Sequence, residues 1–287
     1  MKNIVVVGLG LMGGSLATAL KGFEEYNVMG VDSDRDTRLY AEENKVADLV
    51  TDDVKYAVNH SDVVICCLHP KSTVQFLHEF KDEFMPGSLV MDVCGVKTSI
   101  MEAAECLGDR VDFIGTHPMA GKERGGIINS SGSLFQGSHF IVTPKEDNSE
   151  ENIALVNRMA NYIGCADIIT TTPEKHDAII AYTSQAMHIM AVSIVDDQEL
   201  FECQGFEGGS FRDCTRVAAL EPEIWTELFS LNSTALVSIL RRLEDNLRSY
   251  RETIESGDSV KLMKKLTSSS DRKRAVNIER KRGDDII

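Results

Sequence analysis

Two stretches of the chain hold residues whose types and spacing suit them to chemistry. The first is IGTHPMAGKERGG at 114–126, where an apolar run over 111–115 leads straight into Thr116, His117, Pro118, Met119, Ala120 and Gly121. A surface turn has use for the proline and glycines but none for the histidine. An active-site loop could need all of them, and an imidazole with an ordinary pKa of about 6.5 changes its charge near neutral pH, which makes His117 a candidate reactive residue. The second is NIVVVGLGLMGG, a β-branched run followed by Gly8-x-Gly10-x-x-Gly13. In that pattern Gly8 permits a tight turn, Gly10 lets backbone approach a pyrophosphate, and Gly13 lets the next helix pack close to the strand. The following apolar run ends on Asp32, 19 residues after Gly13. An acid there accepts hydrogen bonds from both adenosine ribose hydroxyls and repels a 2′-phosphate. Strand, glycines, helix, strand and acid together point to a dinucleotide, NAD. Arg35 and Arg38 lie just beyond Asp32 and keep NADP open.

These residues need a scaffold that brings them to one place. Strands are expected at 62–68, 88–93, 111–115, 139–143 and 166–170, with helices at 71–83 and 98–107 between them. Continuous Val/Ile/Leu runs with polar ends imply strands buried on both faces, and so a mostly parallel, Rossmann-type α/β sheet. Ligands of such sheets lie at the carboxyl ends of the strands. Leu68-His69-Pro70, Cys94-Gly95-Val96-Lys97 and Thr116-His117-Pro118 all fall there. Leu11 and Met12 in the glycine turn and Leu68 at a strand end therefore join Gly8, Gly10, Gly13 and Asp32 as candidate coenzyme contacts. Lys97, at the start of a helix, is poorly placed for the helix dipole; it reads either as a ligand contact or as a solvated side chain.

From about Pro173 strand signals stop, which divides the chain into a dinucleotide-binding domain at 1–172 and an all-α domain at 173–287. Residues 174–196 read as one helix with Asp177, Ala181, Ser184 and His188 on a shared face. A Gly-rich break at 205–209 precedes FRDCTRVA at 211–218. A second helix reads from near Glu221-Pro222 to about Ile254, with an apolar stripe through Ile224, Leu228, Leu231, Ala235 and Ile239. At ~1.5 Å per residue it would span roughly 50 Å, longer than a small domain is wide, so a partner is needed to cover it. A homodimer through the helical domain is expected. The charged run from Asp271 to Asp285 is expected to fray.

Bulk properties narrow the partners. The formal charge of −15 argues against nucleic acid and an anionic membrane surface, both of which need a cationic face. It leaves room for a small anionic substrate, which a few local arginines can hold. Seven cysteines lie mostly in apolar strands without CxxC spacing, as expected of free thiols in a reducing cytoplasm. No metal site is expected. Residues 4–20 are apolar and nearly uncharged, and Ala17-Thr18-Ala19 imitates a signal-peptidase site. The glycine spacing argues instead for a first strand and turn of the fold.

With these pieces in place the chain resembles the prephenate/arogenate dehydrogenases of tyrosine biosynthesis. The matching motifs are GLGLMGGSLA (8–17), DVCGVK (92–97), GTHPMAGKE (115–123), PEKHD (173–177), SQAMH (184–188), FRDCTRVA (211–218) and EPEIW (221–225). HPMAG and FRD-x-TR-x-A are specific, whereas many dehydrogenases share the glycine motif. The resemblance implies NAD-dependent oxidative decarboxylation of prephenate to 4-hydroxyphenylpyruvate, with arogenate as the alternative substrate. It implies that His117 is the catalytic histidine and that Arg216 binds a substrate carboxylate. His188 is similar to a substrate-side histidine, and Trp225 to a residue lent by the second subunit. Arg212, one turn from Arg216, is either a second anion contact or a surface ion pair. His176 and Asp177 read as the opening of a helix.

Two departures stand out. Many members carry a serine, whose hydroxyl supports the catalytic histidine, where this chain has Gly95; Thr98, Ser99 or water are then candidates to orient His117. Ala186-Met187 replaces a common leucine-proline before the second-domain histidine. Two rival readings are a β-hydroxyacid dehydrogenase, which would need a catalytic lysine where only the early Lys175 stands, and an NAD-binding sensor without catalysis.

Overall fold

The computed structural model describes residues 2–284 except Glu123. Glu123 of the GTHPMAGKE motif and Asp285 of the charged run lie outside the described residues. The chain forms two compact units, Met1–Leu236 and Val237–Ile287.

The first unit is built on an eight-stranded sheet. Its strands are β1 (Asn3–Val7), β2 (Asn27–Val31), β3 (Leu49–Thr51), β4 (Val63–Cys66), β5 (Leu89–Asp92), β6 (Asp112–Pro118), β7 (His139–Thr143) and β8 (Asp167–Thr170). They run in the order β3-β2-β1-β4-β5-β6-β7-β8. The β6–β7 pairing is antiparallel and the others are parallel. Helices α1 (Leu11–Ala19), α2 (Arg35–Glu43), α3 (Val54–Asn59), α4 (Pro70–Phe80), α5 (Thr98–Ala104) and α6 (Glu150–Tyr162) join or flank the strands. This is a Rossmann-type α/β fold, with the order reversing beside β1, where ligands of such sheets bind.

Alternation along β1 shows why the sheet needs cover on both sides. Ile4 and Val6 enter one core with Leu16, Leu155 and Met159, while Val5 and Val7 enter the opposite core with Phe76, Leu77 and Ile100. Successive strand residues point to opposite faces, so a strand apolar at every position requires helices above and below.

β6 runs further than the apolar pattern indicates. Its parallel pairing with β5 ends at Gly115, but β7 pairs antiparallel with Thr116, His117 and Pro118. His117 is thus a sheet residue opposite Ile141, not the first residue of a loop. Proline lacks the N–H a ladder uses, and the strand ends there.

Residues 173–195 form a helix with an interruption. α7 (Pro173–Ile180) passes through a π-helical turn, Ala181–Gln185, into α8 (Ala186–Val195). The π turn inserts one residue and moves the buried face. Gln185 and Ala186 are 1% and 0% exposed, whereas Ser184 and His188 are half-buried. The single shared face expected for Asp177, Ala181, Ser184 and His188 is therefore not formed. Pro173–Val195 is long and apolar enough to cross a membrane by length and composition alone. His176 and Asp177 on it are buried within the first unit and make buried hydrogen bonds there, to each other and from the Lys97 amide.

After α9 (Gly209–Thr215), the long second helix is broken into α10 (Pro222–Leu231) and α11 (Ser233–Glu255). Asn232 between them leaves helical geometry, at φ −111° and ψ 24°. Its buried amide donates to the Asp177 carbonyl at 2.9 Å and to Gln185 Oε1 at 2.8 Å, and the Gln185 amide donates to the Leu228 carbonyl at 3.2 Å. Side-chain bonding to neighbouring backbone thus takes precedence over an unbroken helix.

In the second unit the rest of α11 turns at Gly257, φ 66°, into α12 (Ser259–Asp284). Tyr250 and Ser269 join the two helices through their hydroxyls at 2.9 Å, and the Lys265 ammonium lies 4.6 Å from the Tyr250 ring centre. α12 continues through the run expected to fray, as far as Asp284.

Asn232→Leu leaves the Asp177 carbonyl and Gln185 side chain without their buried donor. The substitution is expected to destabilise the fold by about 1–3 kcal/mol, read from urea denaturation. An unchanged midpoint would show that this polar knot contributes nothing.

Candidate active site

The glycine turn has the shape of a phosphate cradle. Gly8 lies at φ +90° with its N–H on the Val31 carbonyl at 2.8 Å. A Cβ there would come within 2.8 Å of the Cys67 carbonyl oxygen and of Leu68 Cδ2. A Cβ on Gly13 would stand 1.7 Å from the Gly8 carbonyl oxygen, whereas one on Gly10 would meet nothing within 4 Å. Two glycines are thus demanded by protein packing, and the third faces the open space a pyrophosphate needs. Gly10 begins α1 without a side-chain cap, and Leu11, Met12 and Leu68 are half-buried around it. Oriented backbone N–H groups at a helix start favour an anion.

Asp32 follows β2 and is held in place. Its Oδ2 accepts from the Leu9 amide at 2.7 Å and its Oδ1 from the Asp34 amide at 2.9 Å. Arg38 is committed elsewhere: it donates to the carbonyls of Asp32 and Ser33, each at 2.9 Å, and pairs with Asp52 at 2.8 Å. Arg35 is exposed.

His117 projects from the far end of β6 and is half-buried. Its Nδ1 lies 2.9 Å from Nε2 of His176. His176, 1% exposed, has its own Nδ1 2.7 Å from Asp177 Oδ1. Asp177 also accepts the amides of Lys97 at 2.8 Å and Thr98 at 2.9 Å, the start of α5. The group that meets His117 is therefore His176, where Thr98, Ser99 or water were expected. Motif reading missed it because PEKHD lies 59 residues from His117 and reads as a helix opening.

Electrostatics support a neutral His117. Burial, then the neighbouring His176 and the Lys97 ammonium, hold it well below its ordinary value of 6.5, with Asp177 opposing. Burial pushes the Asp177 carboxyl up, but hydrogen bonds from His176, Thr98 and Lys97 outweigh it and hold the group below the usual carboxylate range.

The expectation that Lys97 contacts substrate is corrected. Its side chain is 0% exposed and pairs with Asp92, itself 0% exposed at the end of β5. Asp92 further accepts the Cys94 amide at 2.8 Å. A buried ammonium must be paired, and here the pair satisfies it inside the protein.

α10 connects this centre to the remaining candidates. Glu221 accepts the Gly125 amide at 3.1 Å, and Glu227 accepts the Lys71 amide at the start of α4 at 3.0 Å. Leu228 leans on Gly95: a Cβ there would lie 3.3 Å from Leu228 Cδ2 and 4.0 Å from His117 Cε1. One turn earlier Trp225 stacks on His188, with ring centres 3.6 Å apart and planes at 29°. Trp225, expected to serve the other subunit's pocket, here meets His188 of its own chain. His188 Nδ1 lies 3.0 Å from the Ser184 carbonyl, leaving Nε2 for a ligand. Burial holds His188 below its ordinary value, the Ser184 bond opposing and the nearby Arg216 charge adding to the effect. Arg216 opens the short 3-10 turn Arg216–Ala218, and Arg212, on α9, is exposed. The structure thus gathers His188, Trp225 and Arg216, and links them to His117 through α10.

A glycine cradle, an acid at the end of β2 and a desolvated histidine at the end of β6 define a dinucleotide-dependent dehydrogenase with further candidate site residues on added helices. Comparison with known proteins refines the class. Residues 16–169 match the nucleotide-binding domain of prephenate dehydrogenase and residues 172–268 its dimerization domain. The chain belongs to the prephenate dehydrogenase family. It is 29% identical over 275 residues to the cyclohexadienyl dehydrogenase of Zymomonas mobilis, covering 93% of this chain and 94% of that one. It is 27% identical over 280 residues to the prephenate dehydrogenase of Bacillus subtilis, covering 94% and 74%. The crystal structure of the A. aeolicus prephenate dehydrogenase in complex with hydroxyphenyl propionate and NAD+ superposes with a TM-score of 0.86 at 26% identity, covering 96% of this chain and 98% of that one.

Because its shift is downward, His117 should remain neutral at pH values below 6.5. An NMR titration of its ring is expected to place the midpoint below that value; a midpoint at or above it would overturn the account of desolvation. The sign for stability follows: the unfolded chain binds a proton near 6.5 that the folded chain refuses. This group's contribution is therefore complete above about 6.5 and is lost as pH falls toward the folded midpoint.

Proposed function

We propose that the chain is an NAD-dependent prephenate dehydrogenase, converting prephenate to 4-hydroxyphenylpyruvate with loss of CO2. The observation that carries this reading is His117, desolvated and bonded through Nδ1, at the carboxyl end of β6 in a sheet whose glycine turn is shaped for a pyrophosphate. Gly8, Gly10, Leu11, Met12, Gly13, Asp32 and Leu68 would hold NAD+, which supplies the hydride acceptor. His117 takes the proton of the ring hydroxyl as hydride leaves the same carbon, and aromatisation of the ring accompanies CO2 loss. The chain's task is then mostly orientation and proton acceptance. Arg216 binds a substrate carboxylate through its guanidinium fork, with His188 and Trp225 forming the adjacent wall and Arg212 a second anion contact.

The carboxylate of Asp32, together with the engagement of Arg38 by Asp52, favours NAD over NADP. The names of the relatives divide between prephenate and cyclohexadienyl substrates, so arogenate is the second reading. Both readings use the same machinery and differ by an amino for a keto group in the substrate side chain. We assign the functional boundary to 172/173, with a homodimer formed through the helical part and a cytoplasmic location. Support for a dimer comes from exposed apolar residues within each unit, Tyr182 and Met187 in the first and Val260, Met263 and Leu266 in the second.

NADH formation with prephenate and with arogenate, each with NAD+ and NADP+, tests the reading. Turnover of prephenate with NAD+ is expected, and turnover of arogenate alone would transfer the assignment to the second substrate. Silence in all four pairs from protein that binds NAD would favour a coenzyme sensor or a β-hydroxyacid dehydrogenase. His117→Asn is expected to lower kcat by roughly 10²–10⁴-fold with modest loss of binding. Arg216→Ala should chiefly raise KM, and an unchanged KM would remove it from the pocket.

A further inference from the structure

The contact that replaces the expected support of His117 has a direction, and the direction decides which nitrogen meets the substrate. The chain of atoms runs from Asp177 Oδ1 to His176 Nδ1 at 2.7 Å, and from His176 Nε2 to His117 Nδ1 at 2.9 Å. Asp177 is an acceptor at both oxygens: Oδ1 also takes the Lys97 amide and Oδ2 the Thr98 amide. Backbone amides can only donate, and against the upward push of burial the bonds from His176, Thr98 and Lys97 hold Asp177 below the usual carboxylate range, so it stands as a carboxylate in the acceptor role. His176 Nδ1 must then be the donor. A neutral imidazole carries one N–H and one lone pair, so a neutral His176 that donates from Nδ1 presents a lone pair at Nε2. His117 answers with its own Nδ1–H, and its lone pair is left on Nε2.

We infer that His176 and Asp177 are positioning residues that fix His117 in the Nδ1–H tautomer, with its basic Nε2 turned to the substrate hydroxyl. This inference rests on the reading of His117 as general base. When Nε2 takes the substrate proton, His117 becomes an imidazolium whose Nδ1–H still points at His176. The negative charge that answers it is Asp177, two bonds further along the relay. No proton has to leave His176 for the step to balance. The polarity starts at the first turn of α5, whose amides hold Asp177, and at the antiparallel end of β6, which holds His117. Gly95 adds no polar side chain to compete for Nδ1. A Cβ at that position would meet Leu228 at 3.3 Å and would reach His117 only at Cε1, 4.0 Å away.

The first test needs no substrate. Long-range nitrogen–proton NMR of the full-length protein labelled at its histidine nitrogens reports the tautomer of each ring, with His117→Asn identifying the His117 signals. The expected result is a protonated Nδ1 and a bare Nε2 on His117. A His117 protonated on Nε2 in the wild-type protein would overturn the inference.

The second test is kinetic, with whichever of the two cyclohexadienyl substrates the wild type turns over. His176→Phe removes the acceptor and should lower kcat by about 10²-fold or more, in the range that loss of a base or its correct tautomer costs elsewhere. His176→Gln keeps an acceptor oxygen without an ionisable ring and should recover most of that loss. Asp177→Asn can donate to His176 and reverse the relay, so kcat should fall while NAD binding persists. Equal impairment of the Phe and Gln variants, with the His117 tautomer unchanged in both, would reduce His176 to a packing residue and overturn the inference. A wild type silent toward both substrates would count against the function proposed above, and the tautomer measurement would then decide the relay by itself.

Discussion

The first unit is organised around a carboxylate that has been taken out of water. Asp177 is 6% exposed, and its two oxygens are satisfied only because the amides at the start of α5 and the ring of His176 converge on them. A buried charge without such partners would cost several kcal/mol, so the carboxylate dictates where its neighbours stand. α7 must lie across the beginning of α5, and the ring beside Asp177 must reach toward the end of β6. The backbone carbonyl of the same residue accepts the Asn232 amide, which draws in the junction of α10 and α11. One residue therefore ties the sheet, its first appended helix and the helix carrying Trp225 into a single arrangement.

A second buried charge lies beneath the same corner. Asp92 and Lys97 pair with no exposure at the end of β5. The pair is costly to bury and carries little evidence of stabilisation by itself. Its effect on the site is electrostatic: the Lys97 ammonium is among the influences that keep a proton off His117. Charge on the lysine thus acts on the candidate base through space, whereas the sequence position read either as a ligand contact or as a solvated side chain. Both cases follow from the dehydrated environment at these strand ends, where charges interact more strongly than in water.

Much of the sheet was legible in advance because its strands announce themselves by composition. β7 falls where the apolar pattern places it, and β4, β5 and β8 lie within the runs that indicated them. The glycine turn was legible for a different reason: Gly8 is hemmed in by Cys67 and Leu68 just past β4, and Gly13 by Gly8 and Cys67, so their spacing encodes geometry. The failures have equally physical causes. β6 extends past Gly115 because an antiparallel neighbour supplies new hydrogen bonds, and pairing partners are invisible in a single strand's periodicity. The helix of 173–195 changes face at a π turn, which a fixed helical period cannot anticipate. The long second helix breaks at Asn232 because its amide finds better partners on other elements.

From residue types and spacing alone came the α/β class, the glycine turn with Asp32, His117 as the candidate reactive histidine, and the motifs of the prephenate dehydrogenase family. Those features depend on local rules: strand alternation, the steric needs of a glycine turn, and the chemistry of one imidazole. Tertiary structure decided what faces His117, where Lys97 spends its charge and which ring Trp225 covers. Each of those outcomes joins groups dozens of residues apart, and each is fixed by the demand that buried polar atoms find partners. A sequence lists the donors and acceptors; only the folded chain assigns them to one another.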